Sequence, residues 1–327
     1  MKAFTLAVAF ATFNRAVSTR ARCLVDGSAS YSTHRRQVTD FPSSIAVDVH
    51  FHIVSTADDA GFVTDDIIAS QWDVLYENYA KHNITLTLNS TERIVDELAG
   101  QGWLVYNGTS WVSYPEEKKA FFKSTRKGGY DELNLYFISP WSPGLSGYCT
   151  FPTTVSGEND DAFGVDACQI SALSMPGIPA ERATLDGYTL GHVAVHESGH
   201  WFGLSHVCAF LSSETVMGVE AVSKPSPSKK ILTPVSTPLR SKVPTKSDLT
   251  QTFAGGCDEP GDYVADTPAS GLVYDCPAGS DTCPGVAGLD PIHNFMSYTN
   301  DTCTNEFTPG QRDRIYEIFY SYRRSLE

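Results

Sequence analysis

From residue 45 to 54 apolar and polar side chains alternate, with Ile45, Val47, Val49, Phe51 and Ile53 on one side, which predicts a β-strand. Beyond it, Thr64 is suited to cap a helix in which Ile67, Ile68, Trp72, Leu75 and Tyr79 recur at helical spacing. Residues 84–88 are rich in β-forming side chains, and 133–138, 147–151 and 165–170 read as further short strands. The stretch 189–202 predicts a second helix. After residue 251 the chain is loop-rich until Thr308-Pro309-Gly310-Gln311, which supplies a cap, a proline at the first helical position and a capping-box glutamine. Ile315, Ile318, Phe319 and Tyr322 then form the apolar face of a last helix. Strand, helix, several strands and helix in that order predict a mixed α/β (α+β) fold.

Two stretches break this pattern. Met1-Lys2 followed by the apolar residues 3–13 reads as a signal peptide over 1–20, too short to span a membrane. Residues 21–42, polar and basic, read as a leader or short pro-segment, which leaves 43–327 as one catalytic domain. Residues 207–251 lose all periodicity: five prolines and thirteen Ser/Thr occur among 45 residues, and the charge turns basic. A structureless stretch of that length is foreign to a compact domain.

The formal net charge of −14 argues against nucleic acid and anionic membranes as partners. Eight cysteines (Cys23, Cys149, Cys168, Cys208, Cys257, Cys276, Cys283 and Cys303) without a C-x-x-C pair favour disulfides over a cysteine metal site, and so an oxidising, extracellular setting. Asn83, Asn89, Asn107 and Asn300 head glycosylation triplets, which suits a secreted glycoprotein; a monomer is the expected state.

The chemistry is concentrated in residues 196–206, His-Glu-Ser-Gly-His-Trp-Phe-Gly-Leu-Ser-His. His196 and His200 are four apart and share one face of a helix. Gly203 can end that helix and turn the chain back, which lets His206 arrive as a third ligand. Three neutral imidazoles and an open position describe a catalytic zinc site rather than a structural one. Such a zinc lowers the pKa of its water to roughly 7 and polarises a carbonyl. Glu197, beside the first ligand, is placed to act as general base. His192 lies one turn earlier on the same face, but three histidines already complete the set.

The extended H-E-x-x-H-x-x-G-x-x-H string resembles the metzincin metalloproteases. Asn294-Phe295-Met296-Ser297-Tyr298 is similar to their methionine turn. Gly255-Gly256-Cys257, Val264-Ala265-Asp266-Thr267-Pro268, Asp290-Pro291-Ile292-His293-Asn294 and Phe307-Thr308-Pro309-Gly310-Gln311 resemble the pappalysin branch, in particular its secreted fungal and ulilysin-like members. The resemblance covers residues 43–206 and 252–327. It implies a zinc endopeptidase acting on proteins or peptides, with a twisted mixed sheet, an active-site helix and a disulfide-stapled C-terminal subdomain. It implies that Met296 floors the histidines, that Tyr298 approaches the zinc to stabilise an oxyanion, and that His293 is structural. It makes 147–151 the edge strand that pairs with substrate. It suggests a calcium (Ca2+) loop at Asp262, Asp266 and Thr267, and a specificity pocket walled by Asp301 that favours Arg or Lys. It also suggests disulfides Cys257–Cys283 and Cys276–Cys303; Cys149–Cys168 is a further expectation, although sequence alone does not fix connectivity.

Some alternatives stay open at this stage. Cys23 is a latency switch on the zinc, a partner of Cys208, or a free thiol. Pappalysin-like chains run from the third histidine almost directly into a string like Thr252-Phe253-Ala254-Gly255-Gly256-Cys257. Residues 207–251 therefore read as a retained intron: codons for Val207 begin GT, and codons for Gln251 include CAG. A genuine flexible loop is the rival, since closure entropy grows slowly with length. A degenerate, non-catalytic zinc-binding protease is the alternative function; the presence of Glu197 argues for catalysis. A serine hydrolase is disfavoured, because Gly144-Leu145-Ser146-Gly147 lacks nucleophile-elbow spacing.

Overall fold

The structure, a computed structural model, describes residues 41–106, 110–141, 146–182, 187–207, 257 and 262–324. The stretch read as a signal peptide, nearly all of that read as a leader, with Cys23, residues 208–251 with Cys208, and Gly255-Gly256 lie outside the described residues.

Five strands form the main sheet in the order β2-β1-β5-β7-β6. They are β1 (Ile45–Ser55), β2 (Ile84–Val95), β5 (Leu133–Ser139), β7 (Cys168–Ser171) and β6 (Gly147–Cys149). All pair in parallel except β6, which runs antiparallel to β7 at the sheet edge. Central β5 is buried along its whole length, as expected of a strand covered on both faces. On one face, Ile45, Val47, Val49, Phe51 and Ile53 of β1 pack with α1 (Asp65–Ala80) and α5 (His192–Trp201) into the main core. On the other, Val54, Tyr136 and Ile138 meet Trp103 and Phe122 in a smaller cluster.

Thr64 caps α1 as its position predicts, with Oγ1 accepting from Ile67 N. β2 extends to Val95, well past residue 88, because it stays in register with β1 beyond a bulge at Val49/His50. The third strand starts at Cys168 rather than 165, since residues 161–164 form a helical turn, α4, capped by Asp160. α5 begins at His192 rather than 189, because Gly191 holds φ +86° at its N-cap. Two elements come without a matching sequence expectation. One is a hairpin of β3 (Leu104–Tyr106) and β4 (Trp111–Ser113), which follows the short α2 (Glu97–Gly100). The other is α3 (Pro115–Thr125), which starts on Pro115 with Glu116 and Glu117 in its first turn.

The last helix, α6 (Pro309–Ile318), has the full capping box of Thr308 and Gln311 and continues into a π-helical turn, Phe319–Arg323. Arg323 is buried and ends the chain's return across the core. Its guanidinium donates to Asp166 at 2.6 Å, to the carbonyls of Trp201 and Tyr130, and stacks over the Trp201 ring. Asp166 also accepts from Trp201 Nε1 and Thr150 Oγ1. One buried carboxylate thus ties α5, the π-helical turn after α6 and the residue after β6. The structure contains disulfides Cys149–Cys168, Cys257–Cys283 and Cys276–Cys303. Among the described residues no helix is long and apolar enough to cross a membrane.

Candidate active site

α5 carries His196 and His200 one turn apart, both buried. Its end is set by Gly203 at φ +94°, where Gly203 N donates to His200 O and Leu204 N to Gly199 O. A side chain at Gly203 would also collide with Ile318 of α6, with a Cβ only 2.5 Å from Ile318 Cγ2. The turn therefore demands glycine twice over, for its backbone angle and for its packing. It brings His206 back so that its Nε2 lies 3.0 Å from His196 Nε2 and 3.1 Å from His200 Nε2.

The tautomers follow from the other ring nitrogens. His196 Nδ1–H donates to Phe295 O at 2.6 Å, and His200 Nδ1–H to Leu204 O at 2.8 Å. Their Nε2 atoms consequently present bare lone pairs toward one point and toward His206. Three buried imidazole nitrogens within about 3 Å of one another, two of them with bare lone pairs, are a donor set that fits a metal ion. Burial keeps the imidazoles neutral, as ligands must be: it lowers His196 to about 4 and drives His200 and His206 well below the usual histidine range. The described residues hold one other ligand-like cluster, Cys276, His293 and Cys303, but its sulfurs are joined in a disulfide.

Glu197 is fully buried in α5 and lies against Gly147 of edge strand β6. Beneath the histidines, Met296 is fully buried with its sulfur against Gly199; a Cβ there would be 2.5 Å from Sδ. The turn bearing Met296 is fixed by Asn294, which exchanges two hydrogen bonds with Gln311 of α6 and accepts from Met296 N. His293 Nδ1 is bonded to Cys303 O, in keeping with a structural place.

Tyr298 Oη lies 3.2 Å from His206 Nδ1, and its ring packs on that imidazole. The hydroxyl thus touches the side of His206 away from the Nε2 cluster. Asp301 lines a pocket together with Ser146, Tyr188, His192, His196 and Tyr298. Burial, only partly offset by hydrogen bonds from the Leu190 and His192 amides, pushes its carboxyl up to about 7. His192 Nδ1 bonds Thr304 Oγ1, and His192 does not join the histidine cluster. In the suggested calcium loop, Asp262 accepts from Thr267 Oγ1 and Val264 N, and burial raises its carboxyl to about 6. Asp266 is otherwise engaged: its carboxylate accepts from Thr308 Oγ1 and Gly310 N at the start of α6. Asp262 and Thr267 are thus in contact, and Asp266 reaches the first turn of α6, whose N-cap is Thr308.

No protein-family model matches the chain. An extracellular metalloprotease of Sordaria macrospora is 37% identical over 284 residues, which is 86% of this chain and 77% of that one. An extracellular metalloprotease of Podospora anserina is 34% identical over 307 residues, 93% and 83% of the two chains. The chain belongs to this family of extracellular metalloproteases. The solved structure of mirolysin in complex with compound 9 aligns with a TM-score of 0.56 at 20% identity, covering 85% of this chain and 92% of that one. Mature mirolysin from Tannerella forsythia in complex with a cleaved peptide aligns at 0.52 with the same identity and coverage. At that identity the likeness establishes the fold alone, the one that mirolysin has.

Proposed function

We propose that the metalloprotease is a secreted zinc endopeptidase in which His196, His200 and His206 hold the metal and Glu197 is the general base. The observation that carries this reading is the convergence of three buried Nε2 atoms beside a buried glutamate that abuts an edge strand. Zinc, when bound there, supplies a Lewis acid for the scissile carbonyl and makes water acidic enough to attack near neutral pH.

The chain's own residues do the rest. Among the described residues β6 is the last strand of the sheet, and an extended peptide added there as a further strand would be held by main-chain hydrogen bonds. Glu197, next to that strand, takes the proton of the attacking water and hands it to the leaving amine. Tyr298 fixes the ring of His206 from behind and is a candidate to turn toward the developing oxyanion. Asp301, in the pocket that His196 also lines, is assigned to prefer Arg or Lys after the cut. Secretion is supported by the apolar start after Met1-Lys2, the three disulfides and the extracellular relatives. Cleavage of a peptide library by the purified enzyme, with and without a chelator, tests the reading. Chelator-sensitive endoproteolysis with Arg or Lys after the cut supports it; chelator-resistant cleavage contradicts it.

A further inference from the structure

The reading of Glu197 as general base leaves open what sets its carboxylate in place. Three observations answer together. A Cβ built on Gly147 would stand 2.5 Å from Glu197 Cγ, 2.5 Å from Oε1 and 2.7 Å from Cδ, closer than real Cβ atoms come. Those three nearest atoms all belong to one side chain, so the tightest conflict is with the glutamate. β6 cannot retreat from it. The Cys149–Cys168 bridge joins β6 to β7 across the register pair Cys149/Cys168, Gly147 is opposite Ile170, and Ser171 N donates to Ser146 O at 2.8 Å. Nor can α5 withdraw readily. Tyr79 Oη bonds Val195 O, Met296 is seated against Gly199, and Trp201 Nε1 is held by Asp166.

From this we infer that Gly147 is a positioning residue for the reaction, its bare Cα forming the floor on which the Glu197 carboxylate rests. With strand and helix both pinned, any side chain at 147 rotates the carboxylate away from its place between the histidine cluster and the substrate-binding edge. The same contact sets the register of a docked peptide, because the base stands beside Gly147 and the bond to be cut must lie next to it. The inference rests on Glu197 being the base, so its test separates the two claims.

The experiment compares wild type, Gly147→Ala, Glu197→Ala and the double variant, with kcat, KM, Tm and metal content measured on the full chain. Gly147→Ala is expected to lower kcat by about 10- to 100-fold, the usual consequence of misplacing a reacting group by about 1 Å. KM should stay within about twofold, and bound metal should be undiminished. In the Glu197→Ala background, where the conflicting atoms are gone, the same substitution should change neither the residual rate nor Tm, which is the non-additivity of residues in contact. If Gly147→Ala costs the same stability or rate in both backgrounds, or strips the metal, or raises KM at constant kcat, the positioning role is overturned. Should Glu197→Ala alone keep near-full turnover, it is the general-base reading that fails instead.

Discussion

At the scale of single residues, the site is a set of groups each fixed by a partner on another segment. Tyr298 holds His206 through Nδ1, and outer partners of metal ligands are worth roughly 10- to 100-fold in metal affinity or activity. Tyr298→Phe should therefore weaken metal binding by about 10-fold, read by competition with a chromogenic chelator. Unchanged affinity with a fallen kcat would assign the hydroxyl to the oxyanion instead. Asp301 offers a second test. Charge-assisted hydrogen bonds are worth about 1.5–3 kcal/mol, so Asp301→Asn should cut the preference for Arg or Lys over Leu after the scissile bond by roughly 10- to 100-fold. An unaltered cleavage profile would mean that Asp301 only anchors the Leu190 and His192 amides.

At the scale of elements, the Asp166–Arg323 pair joins pieces that sequence separates by 157 residues. Both groups are buried, and removing one partner of such a pair leaves an uncompensated charge, at a cost of about 3–5 kcal/mol. Asp166→Asn should destabilise the protein by that order in denaturant unfolding, with activity per folded molecule falling as Trp201 and α5 loosen; a change below about 1 kcal/mol would contradict the packing described. This pair also shows the limit of what the sequence makes legible. The histidines, Glu197 and Gly203 announce themselves because their chemistry requires fixed local spacing, and Met296 through the resemblance of 294–298 to a methionine turn. α1 and α6 do so through caps and periodicity. Asp166 and Arg323 carry no local signature, since their meaning lies in a contact made only after folding. The hairpin at 104–113 is made of strands three residues long, too short to alternate visibly. α3 did offer a signal, in Pro115 followed by Glu116 and Glu117. Gly147 is an ordinary strand residue until Glu197 is seen against it.

At the scale of the whole molecule, buried histidines couple stability to acid. Burial lowers His52, His192 and His196 to about 4, and lowers His82, His200 and His206 as well. Their folded values lie below the unfolded 6.5, so the unfolded state binds more protons as the medium acidifies. The stability they contribute is complete above about pH 6.5 and is lost as pH falls toward 4. Asp262 and Asp301, raised to about 6 and about 7, act in the opposite sense, but two carboxyls oppose a larger set of imidazoles. The chelated enzyme should accordingly show a Tm that falls steadily between pH 6.5 and 4.5. A constant or rising Tm across that window would mean that the histidines are not buried as neutral groups.

The central claim is that three histidines bind the metal while Glu197 moves the proton, and one variant separates these jobs. Glutamine at 197 keeps the size and polarity of the side chain but cannot accept a proton. The decisive measurement is kcat/KM of Glu197→Gln on a cleaved peptide, paired with the metal content of the same sample. The account predicts full metal content with activity reduced at least 10²- to 10⁴-fold, the range for loss of a general base. A metal-loaded Glu197→Gln enzyme turning over near the wild-type rate would contradict it.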